Sequence, residues 1–219
     1  MSATSAALPK PRWRGRLHQV AFFFSIPQGI VLLIAAGADW VTRVGAGVYA
    51  LSLAGLYGVS ASYHRWKWTP KGLSRMRRLD HSMIFVLIAG TYTPVSLLLL
   101  DGVWATVLLV TVWVAAIAGI VMKVVGLERT RKITAGMYIG IGWIALAMAP
   151  QIIPRAGATV MALIAAGGVL YTVGAIIFAL RRPNPSPLVF GYHEIWHVMV
   201  VAASLCHYAA IMILVLDRV

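Results

Sequence analysis

Seven runs of about 20 largely apolar residues, parted by short polar breaks, leave this chain few ways to fold. The runs fall at residues 18–38, 44–64, 80–100, 103–123, 133–150, 157–180 and 193–216. A run of that length crosses hydrocarbon as a helix, because lipid offers the backbone no hydrogen-bond partner and the segment must satisfy its own N–H and C=O groups. The expected fold class is all-α: a polytopic membrane protein, one seven-transmembrane helix bundle over residues 18–219 behind a basic tail at 1–17. With 60% hydrophobic and 11% charged residues the chain lacks the polar surface that a soluble domain needs. The one cysteine, Cys206, excludes an intrachain disulfide and behaves as a small apolar residue within a span. Span 1 is longer than the apolar core of a signal peptide, which favours a retained helix over a cleaved leader. Gly136, Gly140 and Gly142 are expected to let helices approach closely.

The basic residues set the orientation. Lys10, Arg12, Arg14 and Arg16 precede span 1; Arg65, Lys67, Lys71, Arg75, Arg77 and Arg78 lie between spans 2 and 3. Lys123, Arg129, Arg131 and Lys132 lie between spans 4 and 5, and Arg181 and Arg182 between spans 6 and 7. The segments of the other side hold Arg43, Arg155 and Arg218. Positive charge collects on the cytoplasmic side, so the N-terminus is expected in the cytoplasm and the C-terminus outside, in a cell inner (plasma) membrane. The net charge of +13 is spent beside the spans, where it meets anionic headgroups. The expected partners are membrane lipids, one of them a possible substrate, and no nucleic acid.

Ionisable groups inside spans are costly and point to function. With the orientation above, His64 closes span 2, Asp80 and His81 open span 3, and His193, Glu194 and His197 open span 7, all at the cytoplasmic depth. His193 and His197 are four apart and share a helix face. Two imidazoles so placed grip one metal ion, and His64 supplies the third ligand of an open zinc site. Ser60, one turn before His64, stands in position to hydrogen-bond near the metal, and Asp80 to orient a ligand or hold the metal's water. The bland readings are an interfacial His64, a proton-relaying histidine pair, an Asp80 paired with Arg77 and Arg78, and a Ser60 that only packs. Convergence of three distant segments at one depth favours the metal. His207 is expected to be buried and hydrogen-bonded, His18 and His81 to be interfacial, and Asp39, Asp101 and Asp217 to be loop or end charges. The string from His193 to His197 also matches H-E-x-x-H, with Glu194 as general base of a metalloprotease.

Ser60-Ala-Ser-Tyr-His64, Leu79-Asp80-His81-Ser82 with Gly90-Thr-Tyr-Thr-Pro94, and His193-Glu-Ile-Trp-His197 with Cys206-His207 together resemble the hemolysin III family. That family stands with the adiponectin and progestin receptors and, more distantly, the alkaline ceramidases. The resemblance covers the whole bundle. It implies seven helices with the N-terminus inside, zinc held by His64, His193 and His197, and Ser60 and Asp80 around the metal's water. It also implies a link to hydrolysis of ceramide amide bonds. The chain lacks the long N-terminal domain of the receptors and carries Glu194 where they have a neutral polar residue, which leaves the general base open between Asp80 and Glu194. The leading expectation is a zinc-dependent hydrolase of a membrane-lipid amide. The alternatives are a zinc-stabilised sensor or regulator of the membrane, a cytolysin, and an intramembrane metalloprotease.

Overall fold

The computed structural model describes residues 10–126 and 131–218; the first part of the basic tail, 1–9, and Arg129 of the charge count lie outside the described residues, as does Val219. The helices are α1 (Arg16–Ala35), α2 (Trp40–Arg65), α3 (Pro70–Leu99), α4 (Gly102–Val125), α5 (Arg131–Gly142), α6 (Ala149–Leu180) and α7 (Tyr192–Leu216), with a 3-10 turn at Ile144–Met148 between α5 and α6.

Local chemistry sets the helix starts. Asp39 caps α2, its Oδ2 accepting from the Thr42 amide at 2.9 Å. Thr69 caps α3, its Oγ1 accepting from Gly72 N at 3.2 Å, and Pro70 takes the first helical position, where no N–H is needed. That cap starts α3 ten residues ahead of the expected boundary at 80, so Arg75, Arg77 and Arg78 lie on the helix and not in a loop. The expected break between spans 5 and 6 also moves. Residues 151–156 are helical, and the backbone leaves helical geometry only at Gly157 (φ 70°, ψ 161°), a conformation suited to a residue without Cβ. Pro150 falls in the first turn of α6, where a missing N–H costs little, and Pro154 lies inside the helix, which runs on through it.

Among the described residues, six segments are long and apolar enough to cross a membrane: Arg16–Ala35, Trp40–Arg65, Pro70–Leu99, Gly102–Val125, Ile133–Leu180 and Tyr192–Leu216. The fifth runs through α5, the 3-10 turn and α6. Large apolar side chains stand outward on these helices, among them Phe23, Ile34, Leu51 and Val114. A water-soluble monomer rarely exposes so much contiguous apolar surface, whereas lipid covers it without penalty.

The most extensive helix pairings are α6 with α7, α2 with α3, and α1 with α2. A Cβ at Gly90 would lie 2.2 Å from Ser52 Oγ, and one at Gly119 would lie 2.5 Å from the ring of Phe85. These glycines, not Gly136, Gly140 and Gly142, are the close approaches: around those three a Cβ would meet nothing within 4 Å. They sit on the short α5, where a side chain at these positions would meet no described neighbour. Between the helices, Tyr49 OH donates to Ser204 O at 3.1 Å, Tyr92 OH to Gly142 O at 2.6 Å, and Tyr208 OH to Gln28 O at 3.0 Å. Gly90→Ala is expected to destabilise the bundle by about 1–3 kcal/mol through overpacking against Ser52, whereas Gly140→Ala should be neutral or mildly stabilising. Thermal unfolding of the two variants in detergent checks this.

Candidate metal centre

Two helix ends meet to make the site. His64 lies in the last turn of α2, and His193 and His197 occupy successive turns at the start of α7. One ligand atom from each of the three lies within 4.8 Å of the others. His193 Nε2 and His64 Nε2 are 3.1 Å apart, and the ring centroids of His193 and His197 are 4.7 Å apart. His64 and His197 are buried, and His193 is half-buried. A compact group of three imidazoles, two of them buried, could hold a metal ion. The expected pairing of His64 with the i,i+4 pair on α7 is therefore present in space.

The remaining predicted residues divide. Ser60 and Asp80 line a cavity of about 30 Å³ that His193 and His197 also line, and the Ser60 side chain hydrogen-bonds the Asp80 carboxyl. Glu194 is fully buried but engaged elsewhere. Its Oε1 pairs with Arg14 Nε at 2.5 Å, and its Oε2 accepts from Gly191 N at 2.8 Å, closing a cap on the first turn of α7. Breaking a buried ion pair strands a desolvated charge. Glu194→Gln is therefore expected to lower stability by about 3–5 kcal/mol, seen as a lower unfolding temperature in detergent.

The Arg14 contact belongs to a wider arrangement. Arg12 N donates to Leu188 O at 3.0 Å and Trp13 N to Val189 O at 3.2 Å, so the tail lies along the connection between α6 and α7. Gly15 then turns the chain into α1 with φ 77°, and a Cβ there would lie 2.5 Å from His64 Cβ. The tail thus closes the loop-side end of the metal centre, with a glycine where it crosses His64.

Two histidines expected at the interface are inside. His18 is 3% exposed and stacks on His197, the ring centroids 3.8 Å apart and the planes at 13°. Both its ring nitrogens are buried without a partner, as is Nδ1 of His197. His81 lines the same small cavity, and its Nδ1 lies 3.4 Å from Lys123 Nζ. Lys123 is itself buried in the last turn of α4 and donates to Thr134 Oγ1 at 3.0 Å, so it is not a loop charge. The inward face of α1 and the fold of α4 onto α5 are tertiary facts, and the one sequence sign was a lysine set among Val121, Met122, Val124 and Val125.

Fold and site together define a multi-pass membrane protein with a three-histidine group where α2 and α7 meet. The Haemolysin-III related family model matches residues 6–208, and the chain belongs to that family. It is 34% identical over 201 residues to Hemolysin-3 of Bacillus cereus, covering 91% of this chain and 89% of that one. It is 32% identical over 190 residues to the Hemolysin-3 homolog of Bacillus subtilis (strain 168), covering 85% of each. A more distant relative, the human Monocyte to macrophage differentiation factor, is 25% identical over 189 residues, covering 84% of this chain and 75% of that one.

Proposed function

We propose that this chain is a zinc-dependent hydrolase of an amide bond in a membrane lipid. It would cross a bacterial inner membrane seven times, with the N-terminus in the cytoplasm. The observation that carries the reading is the group of His64, His193 and His197, with Asp80 on the wall of the cavity that His193 and His197 line and an apolar chamber beside it. That chamber, of about 170 Å³, shares Leu56, Ile84, Tyr138, Ala175, Trp196 and Val200 with the smaller cavity. An acyl chain suits such walls, and its polar link would then lie at the histidines. The seven-span count rests on length. The fifth apolar segment has 48 residues, so as one helix it would be about 72 Å long. That is more than twice the roughly 30 Å of hydrocarbon, which favours two crossings, 133–156 and 158–180, divided at Gly157 where the backbone leaves helical geometry.

The donor set fits zinc. Neutral imidazole nitrogens are ordinary zinc ligands. Two nitrogens about 2.0–2.1 Å from a tetrahedral zinc stand about 3.3 Å apart, close to the 3.1 Å between His193 Nε2 and His64 Nε2. The buried Nδ1 of His197 without a partner is a further mark of a group made to be satisfied by something else. When bound, zinc would polarise the scissile carbonyl and make a water acidic enough to attack near neutral pH. Asp80, on the cavity wall, would accept the proton of the attacking water and return it to the leaving amine. Ser60 holds the Asp80 carboxyl in position by its hydrogen bond. His18, stacked flat on His197, keeps that ring from turning.

The test is release of fatty acid from N-acylated lipids, ceramide among them, by zinc-loaded protein in nanodiscs. Turnover that stops on chelation supports the hydrolase. A folded, zinc-loaded protein that releases fatty acid from none of them refutes it. One observation favours a second reading: α2 contributes one of the three imidazoles and α7 the other two, so a metal there would staple α2 to α7. In that case chelation would lower the unfolding temperature of a protein that turns over no lipid.

A further inference from the structure

The larger chamber is apolar over nearly all of its wall, and the polar side chains along it are almost all committed elsewhere. Thr91 Oγ1 donates to Leu87 O at 2.8 Å, Tyr92 OH to Gly142 O at 2.6 Å, and Tyr138 OH to His81 O at 2.9 Å. Thr172 Oγ1 donates to Gly168 O at 2.7 Å and accepts from Trp143 Nε1 at 2.9 Å. Two lining atoms break the pattern. Among the described residues, Tyr171 OH and His207 Nδ1 are buried without a well-aligned hydrogen-bond partner, with Ser204 the polar neighbour of the Tyr171 hydroxyl. Buried polar atoms are nearly always satisfied in native proteins, so a pair left open on one chamber wall calls for an occupant.

Their geometry says what kind. The two rings are neighbours, with centroids 5.5 Å apart. His207 Nε2 lies 3.3 Å from Ile164 O. A carbonyl oxygen only accepts, so Nε2 carries the proton, and Nδ1 of the neutral ring is left as an acceptor. The ring is held there from behind: a Cβ at Gly167 would lie 2.3 Å from His207 Nε2, so α6 can close upon it only at a glycine. Tyr171 OH has a proton to give. Ser204 beside it can take that proton only as a further acceptance on a hydroxyl that already donates to Val201 O at 2.9 Å and pairs with Tyr57 OH, so the oxygen of an occupant competes for it. One fixed acceptor next to one donor matches a group that both donates and accepts through one atom, which is a hydroxyl. The position is remote from the metal centre. His207 follows His197 by ten residues on α7, or about 15 Å along the helix.

We propose that Tyr171 and His207 form a recognition site for a hydroxyl borne in the middle of a long acyl chain that occupies the chamber. The chain's hydroxyl donates to His207 Nδ1 and accepts from Tyr171 OH, while its methylenes meet Leu87, Ile139, Ile164 and Ile211. The site rests on the lipid reading of the chamber and does not require turnover. It defines a substrate class within that reading: lipids whose acyl chain is hydroxylated far from the amide.

The test is binding to the purified full chain in detergent, followed by the fluorescence of Trp143 and Trp196, which line the chamber. The probes are octadecanoic acid, the same acid hydroxylated at mid-chain, and the same acid hydroxylated next to the carboxyl. Wild type is expected to prefer the mid-chain hydroxy acid about tenfold over the plain acid, as one or two well-made buried hydrogen bonds provide. The acid hydroxylated beside its carboxyl should show no such preference. Tyr171→Phe removes only the hydroxyl and should cut the preference to about threefold or less. His207→Phe, as a second variant, should do the same. Equal binding of all three acids by wild type would overturn the proposal and leave the pair to ordered water. A preference unchanged in both variants would overturn it as well. The outcome is separable from the hydrolase reading, because His193→Ala protein that turns over no lipid should keep the ratio.

Discussion

Replacing His193 by alanine is expected to take purified protein from about one zinc per chain to almost none, as measured by mass spectrometry of the metal. His193 Nε2 is the atom 3.1 Å from His64 Nε2, and it belongs to the group whose ligand atoms lie within 4.8 Å of one another. Its removal leaves two imidazoles, fewer than an open zinc site requires. The loss should also show in stability. Anything that binds the folded state alone stabilises it by mass action, so zinc should raise the unfolding temperature of wild type and leave that of His193→Ala unmoved. Cys206→Ala is the control, since Cys206 is half-buried on α7 outside the three-histidine group. Its zinc content should equal that of wild type. Well-folded wild type that holds no metal after zinc loading would sink the zinc reading, and with it the hydrolase.

Different parts of this site were legible to different degrees, and the reason is geometric. His193 and His197 could be read from spacing alone, because four residues on a helix bring two side chains to one face whatever surrounds them. His64 could be added through membrane depth, since charge asymmetry orders helix ends without knowing which helices touch. His18 could not be placed. Its helix is apolar on nearly every side, so no sequence periodicity marks the inward face, and only packing against α7 turns the imidazole onto His197. Glu194 carries two readings for a related reason. Its place in H-E-x-x-H points to proton transfer, but a carboxylate at the third position of a helix also caps, and here Gly191 N and Arg14 Nε take its two oxygens. The partner, Arg14, stands 180 residues away, beyond any local pattern. In the fold, the length and apolarity of the helices were plain, while α3 began ten residues early because Thr69 and Pro70 form a start signal stronger than the hydropathy change at 80. Gly136, Gly140 and Gly142 have the spacing of a packing face, but spacing cannot supply the neighbour.

Asp80→Asn should retain zinc and lose turnover, with the rate on an N-acylated lipid falling by about 10²–10⁴, the usual worth of a positioned acid–base group. The amide keeps the size of the carboxyl and can still hydrogen-bond Ser60, but it cannot accept a proton at working pH. Because the substitution leaves all three imidazoles in place, metal content separates a lost base from a lost site. Ser60→Ala should fall between wild type and Asp80→Asn, since Ser60 is 3% exposed and acts on the chemistry only through the carboxyl that it holds. The contrast with Glu194 decides between the two candidate bases. Both Glu194 oxygens are bonded, to Arg14 and to the α7 amide, and neither is open to a substrate without breaking the cap. Glu194→Gln is therefore expected to lose stability while the fraction that remains folded turns over lipid within about tenfold of wild type, well short of the loss of a general base. If instead Glu194→Gln abolishes turnover with zinc and fold intact while Asp80→Asn is fully active, the proton passes through Glu194, and the H-E-x-x-H reading replaces the one built on Asp80.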